Sequence, residues 1–268
     1  MGVLWSRRAL VTFFAAFAVA ACDVNVSNGE FNVGLASGRA TDEWTREYAI
    51  AAGGRLTVKN VNGTITLESA GAGGKTRVRA ERIARATSDE SAKELLQKIT
   101  IDESVMPDVV RLETRAPSGW RSGQHEVKYF VAVPPGVMVE ARTTNGGVTM
   151  VGLANEVDVS TVNGGIKGER LSGPVQARTT NGGVHVRMDG MTRDGVRLST
   201  VNGGVSLELP GNARADISAH ATNGGIHTDN LDLTVRDQSH RRLDATLNGG
   251  GGHVELSATN GGIRLSGR

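Results

Sequence analysis

The chain has 268 residues, a formal charge of +2, 36 glycines, one cysteine and only 4% aromatic residues. One cysteine excludes an intrachain disulfide, and Arg7 and Arg8 carry the whole charge excess in a segment without acids, leaving 2 − 2 = 0 for residues 22–268. A balanced chain has no electrostatic reason to seek nucleic acid, so no nucleic-acid partner is expected.

Residues 1–21 read as a signal peptide: an Arg-Arg start, an apolar run from Ala9 to Ala20, and small residues before Cys22. The run is too short to span a bilayer. Val19-Ala20-Ala21-Cys22 resembles a bacterial lipoprotein processing box, with Val where Leu is commoner, and this makes Cys22 the expected lipidation site. Asp23 resembles the signal that retains lipoproteins in the inner membrane of enteric bacteria, so an inner-membrane anchor facing the periplasm is expected, with the outer membrane as the alternative. Ser6–Leu10 only partly resembles a twin-arginine signal. Residues 22–43, small and polar, read as the lipidated tether of a single domain over 44–268.

Asn-Gly recurs at Asn62, Asn145, Asn163, Asn181, Asn202, Asn223, Asn248 and Asn260, with intervals of 18, 18, 21, 21 and 25 from Asn145 to Asn248. A period near twenty marks a repeat architecture. Three residues after the asparagine stand Ile65, Val148, Ile166, Val184, Val205, Ile226 and Ile263, all β-branched; the next residue is polar and the one after mostly apolar. Four residues before it, Val58, Ala141, Val159, Ala177, Leu198, Ala219 and Leu256 form a second apolar column. Each unit is therefore strand, tight turn, strand, with alternate side chains inward.

The Asn-Gly-Gly corner is expected to need positive φ, which glycine accepts freely and asparagine tolerates. Asn-Gly also suits two-residue hairpins, but insertions gather at the other corner (153–156, 170–174, 189–195), which favours stacked rungs over a meander. Stacking would let the asparagines bond from rung to rung. It would also set Glu169, Arg187 and Glu208 as a charge ladder, with Arg142 and Arg178 two rungs apart. The unit at Asn248 is irregular, because glycines fill its apolar position.

Residues 75–133 break the pattern. Strands are expected over 76–83, 109–116 and 126–133, and Thr87-Ser-Asp-Glu90 reads as a capping box before a short helix with Ala92, Leu95, Leu96 and Ile99 on one face. Pro134-Pro135-Gly136 turns the chain into the main repeats. The fold class is thus all-β, a parallel β-helix or solenoid with one short helix in an insertion near its N-terminal end.

The leader, LTVKNVNGTITL, the short helix, YFVAVPPGVMVEARTTNGGV and the serial Asn-Gly-Gly units together resemble the DUF4097 family, whose members are often labelled adhesins. The resemblance implies a β-solenoid at a cell surface and supplies no catalytic residues.

The residues themselves offer little chemistry. There is no Gly-x-Ser-x-Gly elbow, no phosphate-binding glycine loop and no recognised histidine spacing, so no catalytic residue, cofactor or metal site is expected. His185 and His227 share a column with Ser206 between them, while Glu208 and Asp229 are expected to be neighbours and to make at best a poor calcium pair. Aromatic residues stop at Phe130, so the main repeats lack a stacking platform; Trp44, Tyr48, Tyr129 and Phe130 read as core or end-cap packing, and Trp120 in SGWRSG as packing or a ligand contact. Alternation of Thr144, Val162, Thr180, Val201 and Thr222 breaks the regular threonine grid that ice binding requires. The expected function is non-enzymatic: a lipid-anchored envelope scaffold or adhesin. Trp120, Arg142, Arg178 and Arg187 are its candidate binding residues, and an unknown protein or envelope polymer its partner. The alternatives are an accessory of envelope-stress or signalling complexes and, behind it, a polysaccharide-degrading enzyme.

Overall fold

Each Asn-Gly-Gly segment except the one at Asn248 folds as a corner between two strands, and these corners stack. The computed structural model describes residues 22–27, 30–35, 38–117 and 124–268. In chain order the early elements are β1 (Cys22–Ser27), β2 (Glu30–Leu35), β3 (Gly38–Tyr48), β4 (Arg55–Lys59), β5 (Ile65–Ser69), β6 (Thr76–Ala86), α1 (Asp89–Gln97), β7 (Thr100–Met106), β8 (Val109–Arg115) and β9 (Gln124–Val133). The repeats follow as β10 (Met138–Asn145), β11 (Val148–Val151), β12 (Val157–Asn163), β13 (Ile166–Leu171), β14 (Val175–Asn181), β15 (Val184–Met188), β16 (Val196–Asn202), β17 (Val205–Leu209), β18 (Ala215–Asn223) and β19 (Ile226–Asp229). Then come β20 (Leu233–Gln238), β21 (Arg242–Leu247), β22 (Gly252–Asn260) and β23 (Ile263–Gly267).

Strands before the corners form one large sheet, in the order β20-β21-β18-β22-β16-β14-β12-β10-β4-β8-β7. Strands after them form the other, β19-β23-β17-β15-β13-β11-β5-β9-β6-β3. The apolar columns face each other between these sheets: Val148, Ile166, Val184, Val205 and Ile263 on one side, Ala141, Val159, Ala177, Leu198 and Leu256 on the other, all buried. Full burial of a Val or Ile side chain contributes about 1.5–3 kcal/mol, so the repeated column is the main source of cohesion. The centre is parallel. Antiparallel strands finish both ends, with β6, β3 and β7 at one and β21 and β20 at the other.

Spatial order departs from chain order in two places. The β8/β9 rung stacks beneath β4/β5, and the chain then crosses over to add β10/β11 on the opposite side. The last rung, β22/β23, lies between β16/β17 and β18/β19. Asn248, expected to head a rung, instead sits in the β21–β22 turn with φ 50°, and Asn260 heads the inserted rung. Consequently Glu208 faces Ser266, which faces Asp229, so the expected neighbours are separated and form no carboxylate pair. His185 and His227 are likewise separated by both Ser206 and Arg264.

The corners divide their labour differently from expectation. None of the stacked asparagines has positive φ; Gly146, Gly164, Gly182, Gly203 and Gly261 do, between 153° and 159°. Close approach is the stronger demand on these glycines, because a Cβ on Gly164 would stand 2.1 Å from the carbonyl oxygen of Gly146. Asparagine is present for its side chain. Nδ2 of Asn145 donates to Oδ1 of Asn62, and the same 2.8 Å bond repeats from Asn163 to Asn145, Asn181 to Asn163, Asn202 to Asn181, Asn260 to Asn202 and Asn223 to Asn260. Inside it, the Thr161, Thr179 and Thr200 hydroxyls each donate at 2.8 Å to the corner carbonyl of the rung before.

Two local expectations shift. Ser88, not Thr87, caps α1, its hydroxyl accepting from the Ser91 N–H, because the extended backbone at Ser88 aims its side chain at the first turn. β3 starts at Gly38, within the segment read as tether, and pairs with β6 along its length; Gly38 packs so closely on Ser88 that a Cβ would lie 2.0 Å from that backbone. Ala40, Ala86 and Ala92 pack together beneath Leu96, while Leu95 and Ile99 join the main core.

Candidate binding groove

On the outer face of the pre-corner sheet, two exposed columns run beside the asparagines. One contains Lys59, Arg142, Ser160, Arg178, Ser199, Ser257 and His220, in that spatial order. The other, one residue before each asparagine, includes Thr144, Val162, Thr180, Val201 and Thr259. Between them lies a groove of about 720 Å³ that crosses the rungs from Lys59 to Ser257. Its walls carry Lys59, Arg142 and Arg178 and no carboxylate among the described lining residues. Val162 and Val201 are 43% and 42% exposed there, an apolar lining that a free solenoid leaves wet.

Parallel pairing sets the geometry. Arg142 pairs in register with Ser160 and Ser160 with Arg178, so the two guanidinium-bearing backbones are about 9.6 Å apart, twice the strand spacing. Serine separates these two arginines, whereas Lys59 stands on the rung directly beside Arg142. Outside the groove Glu140 touches Arg142 at 2.7 Å and Arg55 at 3.9 Å, which partly compensates that arginine.

Arg187 does not belong to this surface. It projects from β15 on the other sheet and pairs with Glu208 at 3.6 Å, as the charge-ladder reading expects. Glu169 leaves that ladder, because β13 bulges between Gly168 and Leu171 and Glu169 turns to Lys167 at 2.7 Å, whose ammonium holds the carboxyl below its usual range. Trp120 lies outside the described residues. Cys22 opens β1, whose side chains are likewise outside them. Among the aromatics, Tyr48 and Tyr129 are buried, the Tyr129 phenol pushed up to about 12 by burial, while Phe130 lies under Arg79 at 4.0 Å.

Sequence reasoning passed over Lys59, Val162 and Val201 as site residues. Lys59 stands three before Asn62, as Arg142 does before Asn145, so the column could have found it. The asparagine ladder also ends on a titratable group: Asn62 Nδ2 lies 3.1 Å from His125 Nε2, and burial lowers the histidine's pKa. With Asn62 Oδ1 already accepting from Asn145, His125 Nε2 must act as acceptor, which requires a neutral ring.

A two-sheet stack of parallel rungs, cornered by glycine and laced by asparagine, defines a rigid β-solenoid that displays columns of side chains. The family model described as Toastrack DUF4097 matches residues 23–266, and the chain belongs to this family. No curated protein matches it. Among solved structures, it is similar to a candidate cell adhesion protein from Clostridium sporogenes, at 15% identity over 85% of this chain and 100% of that one, with a TM-score of 0.48. A candidate adhesin from Bacteroides fragilis matches at 11% identity over 84% and 97%, with a TM-score of 0.26. A candidate lipid-binding protein from Parabacteroides distasonis matches at 11% over 84% and 96%, with a TM-score of 0.27. Superpositions this loose carry no argument about function.

Proposed function

We propose that the protein is a non-enzymatic binding scaffold of the bacterial cell envelope, held to a membrane by lipid on Cys22, whose groove receives an extended anionic envelope polymer. The observation that carries the reading is the groove itself: three cations, exposed valines and serine and threonine hydroxyls spread along the rungs, with no carboxylate among its described lining residues. A linear ligand lying across the rungs would meet Arg142 and Arg178 at regular intervals, and its charge would steer the encounter. The groove's charged groups are cations set along a line, which suits distributed contact more than the convergence of acid, base and nucleophile that turnover needs.

The test is binding of residues 38–268 to purified anionic and uncharged envelope glycans. The anionic chains should bind with a strong dependence on salt, and Arg142→Glu with Arg178→Glu should weaken them by roughly tenfold or more without lowering the melting temperature appreciably. Equal affinity for uncharged chains, or an unaffected double variant, would remove the groove from the reading. Cleavage of any glycan would replace it with an enzyme. Fatty-acid labelling of the full chain that survives Cys22→Ser would refute the anchor.

A further inference from the structure

Asn-Gly is the peptide step at which a backbone nitrogen most easily attacks a side-chain carboxamide, since glycine places no side chain in the way and bends readily. Eight such steps lie among the described residues, and the stack treats them unequally. At Asn62, Asn145, Asn163, Asn181, Asn202 and Asn260 the following glycine N–H donates to the asparagine carbonyl of the next rung, at 2.8–3.0 Å. The nucleophilic nitrogen is thereby occupied.

Gly224 and Gly249 are the exceptions, with no such partner among the described residues. At Asn248 the side chain is pinned, its Nδ2 donating to the carbonyls of Ala213 at 2.8 Å and Gly211 at 3.3 Å. Among the described residues the Asn223 carboxamide has one bond, from its Nδ2 to Asn260 Oδ1, and no neighbouring rung donates to its Oδ1 because β18/β19 is the last rung of the ladder. An interior residue such as Asn163 would have to break three hydrogen bonds to bring its carboxamide onto the glycine nitrogen: one donated, one accepted, and the Gly164 N–H.

The segment after β20 adds chemistry to this open corner. Ile226 N–H donates to the His240 carbonyl, and the imidazole lies so close that a Cβ on Gly225 would be 2.8 Å from its Cε1. Arg241 reaches the Thr222 carbonyl at 3.4 Å. An imidazole beside the next glycine and a guanidinium on the preceding carbonyl thus flank the step.

We propose that Asn223-Gly224 is a self-modification site of the folded protein, deamidating through a cyclic imide while the six covered ladder steps are protected. The Gly224 nitrogen gives up its proton, with His240 or water as acceptor, and bonds to Asn223 Cγ. The C–N bond to the side-chain nitrogen breaks and ammonia leaves. Water then opens the five-membered imide at either carbonyl, yielding aspartate or isoaspartate, so the net change is uptake of one water and release of one ammonia. Neither product donates to Asn260 Oδ1 as the amide did, and each adds a negative charge beside Arg241.

The experiment follows the unaltered protein in heavy-oxygen water at mildly alkaline pH, with peptide mass mapping over time and a parallel sample in urea. In urea the steps should convert at similar rates. In the folded sample Asn223 should stay near its unfolded rate, while Asn62, Asn145, Asn163, Asn181, Asn202 and Asn260 slow by at least about tenfold, because each needs a local opening first. Protection of Asn223 equal to that of the six, or reaction of any of the six as fast as Asn223, would overturn the proposal.

Discussion

Replacing Asn181 with aspartate probes whether the ladder is one connected unit or a row of independent bonds. Asn181 donates to Asn163 Oδ1 and accepts from Asn202 Nδ2, both at 2.8 Å. Aspartate keeps the acceptor but turns an oxygen toward Asn163 Oδ1. The clash is relieved if the amides of Asn163, Asn145 and Asn62 all rotate, each then donating in the opposite sense, and the rotation ends at His125, whose Nε2 must change from acceptor to donor. Asn163 then makes a charge-assisted bond, about 1.5–3 kcal/mol, in place of a neutral one of about 0.5–1.5 kcal/mol. That gain offsets much of the cost of putting a proton on His125 Nε2. Asn181→Leu offers no such exchange and forfeits two neutral bonds, roughly 1–3 kcal/mol in all. Aspartate should therefore be the milder variant at pH 7. Nitrogen-15 NMR should show His125 exchanging its tautomer or gaining a proton, about 19 Å away across four strand spacings. An aspartate variant no more stable than the leucine one, with His125 unchanged, would refute a connected ladder.

Two further outcomes are expected. The folded pKa of His125 is depressed by burial, whereas the unfolded chain titrates near 6.5, so between those values the unfolded state binds the extra proton and stability falls as pH drops below about 6.5. Denaturation midpoints between pH 7.5 and pH 5, ranges chosen to bracket that value, should slope downward in the native chain and flatten in His125→Gln; parallel slopes would assign the loss to other groups. Val184→Asp should cost about 3–5 kcal/mol by burying a carboxylate without a partner, while His185→Asp, one residue along on the exposed face, should cost well under 1 kcal/mol. Equal thermal-melt losses for the pair would contradict the inward and outward register.

How far the sequence reveals this molecule depends on what kind of information each feature carries. Val184 is legible because a buried column is written as composition at fixed spacing, and the corner glycines because no other residue fits a 2.1 Å approach. The asparagine ladder follows from register alone. Rung order does not, since the 21-residue step from Asn202 to Asn223 fits direct stacking as well as it fits the observed insertion of Asn260 between them. The rungs cornered at Asn145, Asn163, Asn181, Asn202, Asn223 and Asn260 all offer the same asparagine, the same two glycines and an inner β-branched residue, so nothing local says which neighbour such a rung prefers. The groove was half legible. Arg142 and Arg178 precede their corners while Arg187 follows one, which puts them on opposite outer faces, yet the valines at 162 and 201 read only as interruptions of a threonine row.

The inserted last rung ties the molecule's integrity to its C-terminal segment. β18 pairs along its full length with β22, and its antiparallel partner β21 covers only its opposite edge. β16 likewise meets β22, so both neighbours present open parallel edges until residues 252–268 dock. A solenoid built strictly in chain order would be complete, rung by rung, as its chain emerges; this one closes only when residues 252–268 dock. The arrangement protects edges that would otherwise be competent to pair with another chain. It also fixes where the ladder stops: because Asn260 takes the interior place, Asn223 becomes terminal, and the corner whose glycine nitrogen lacks a partner among the described residues lies in the middle of the repeat sequence instead of at its last asparagine. Rung order, invisible in the sequence, thus decides which of several chemically equivalent asparagines is the reactive one.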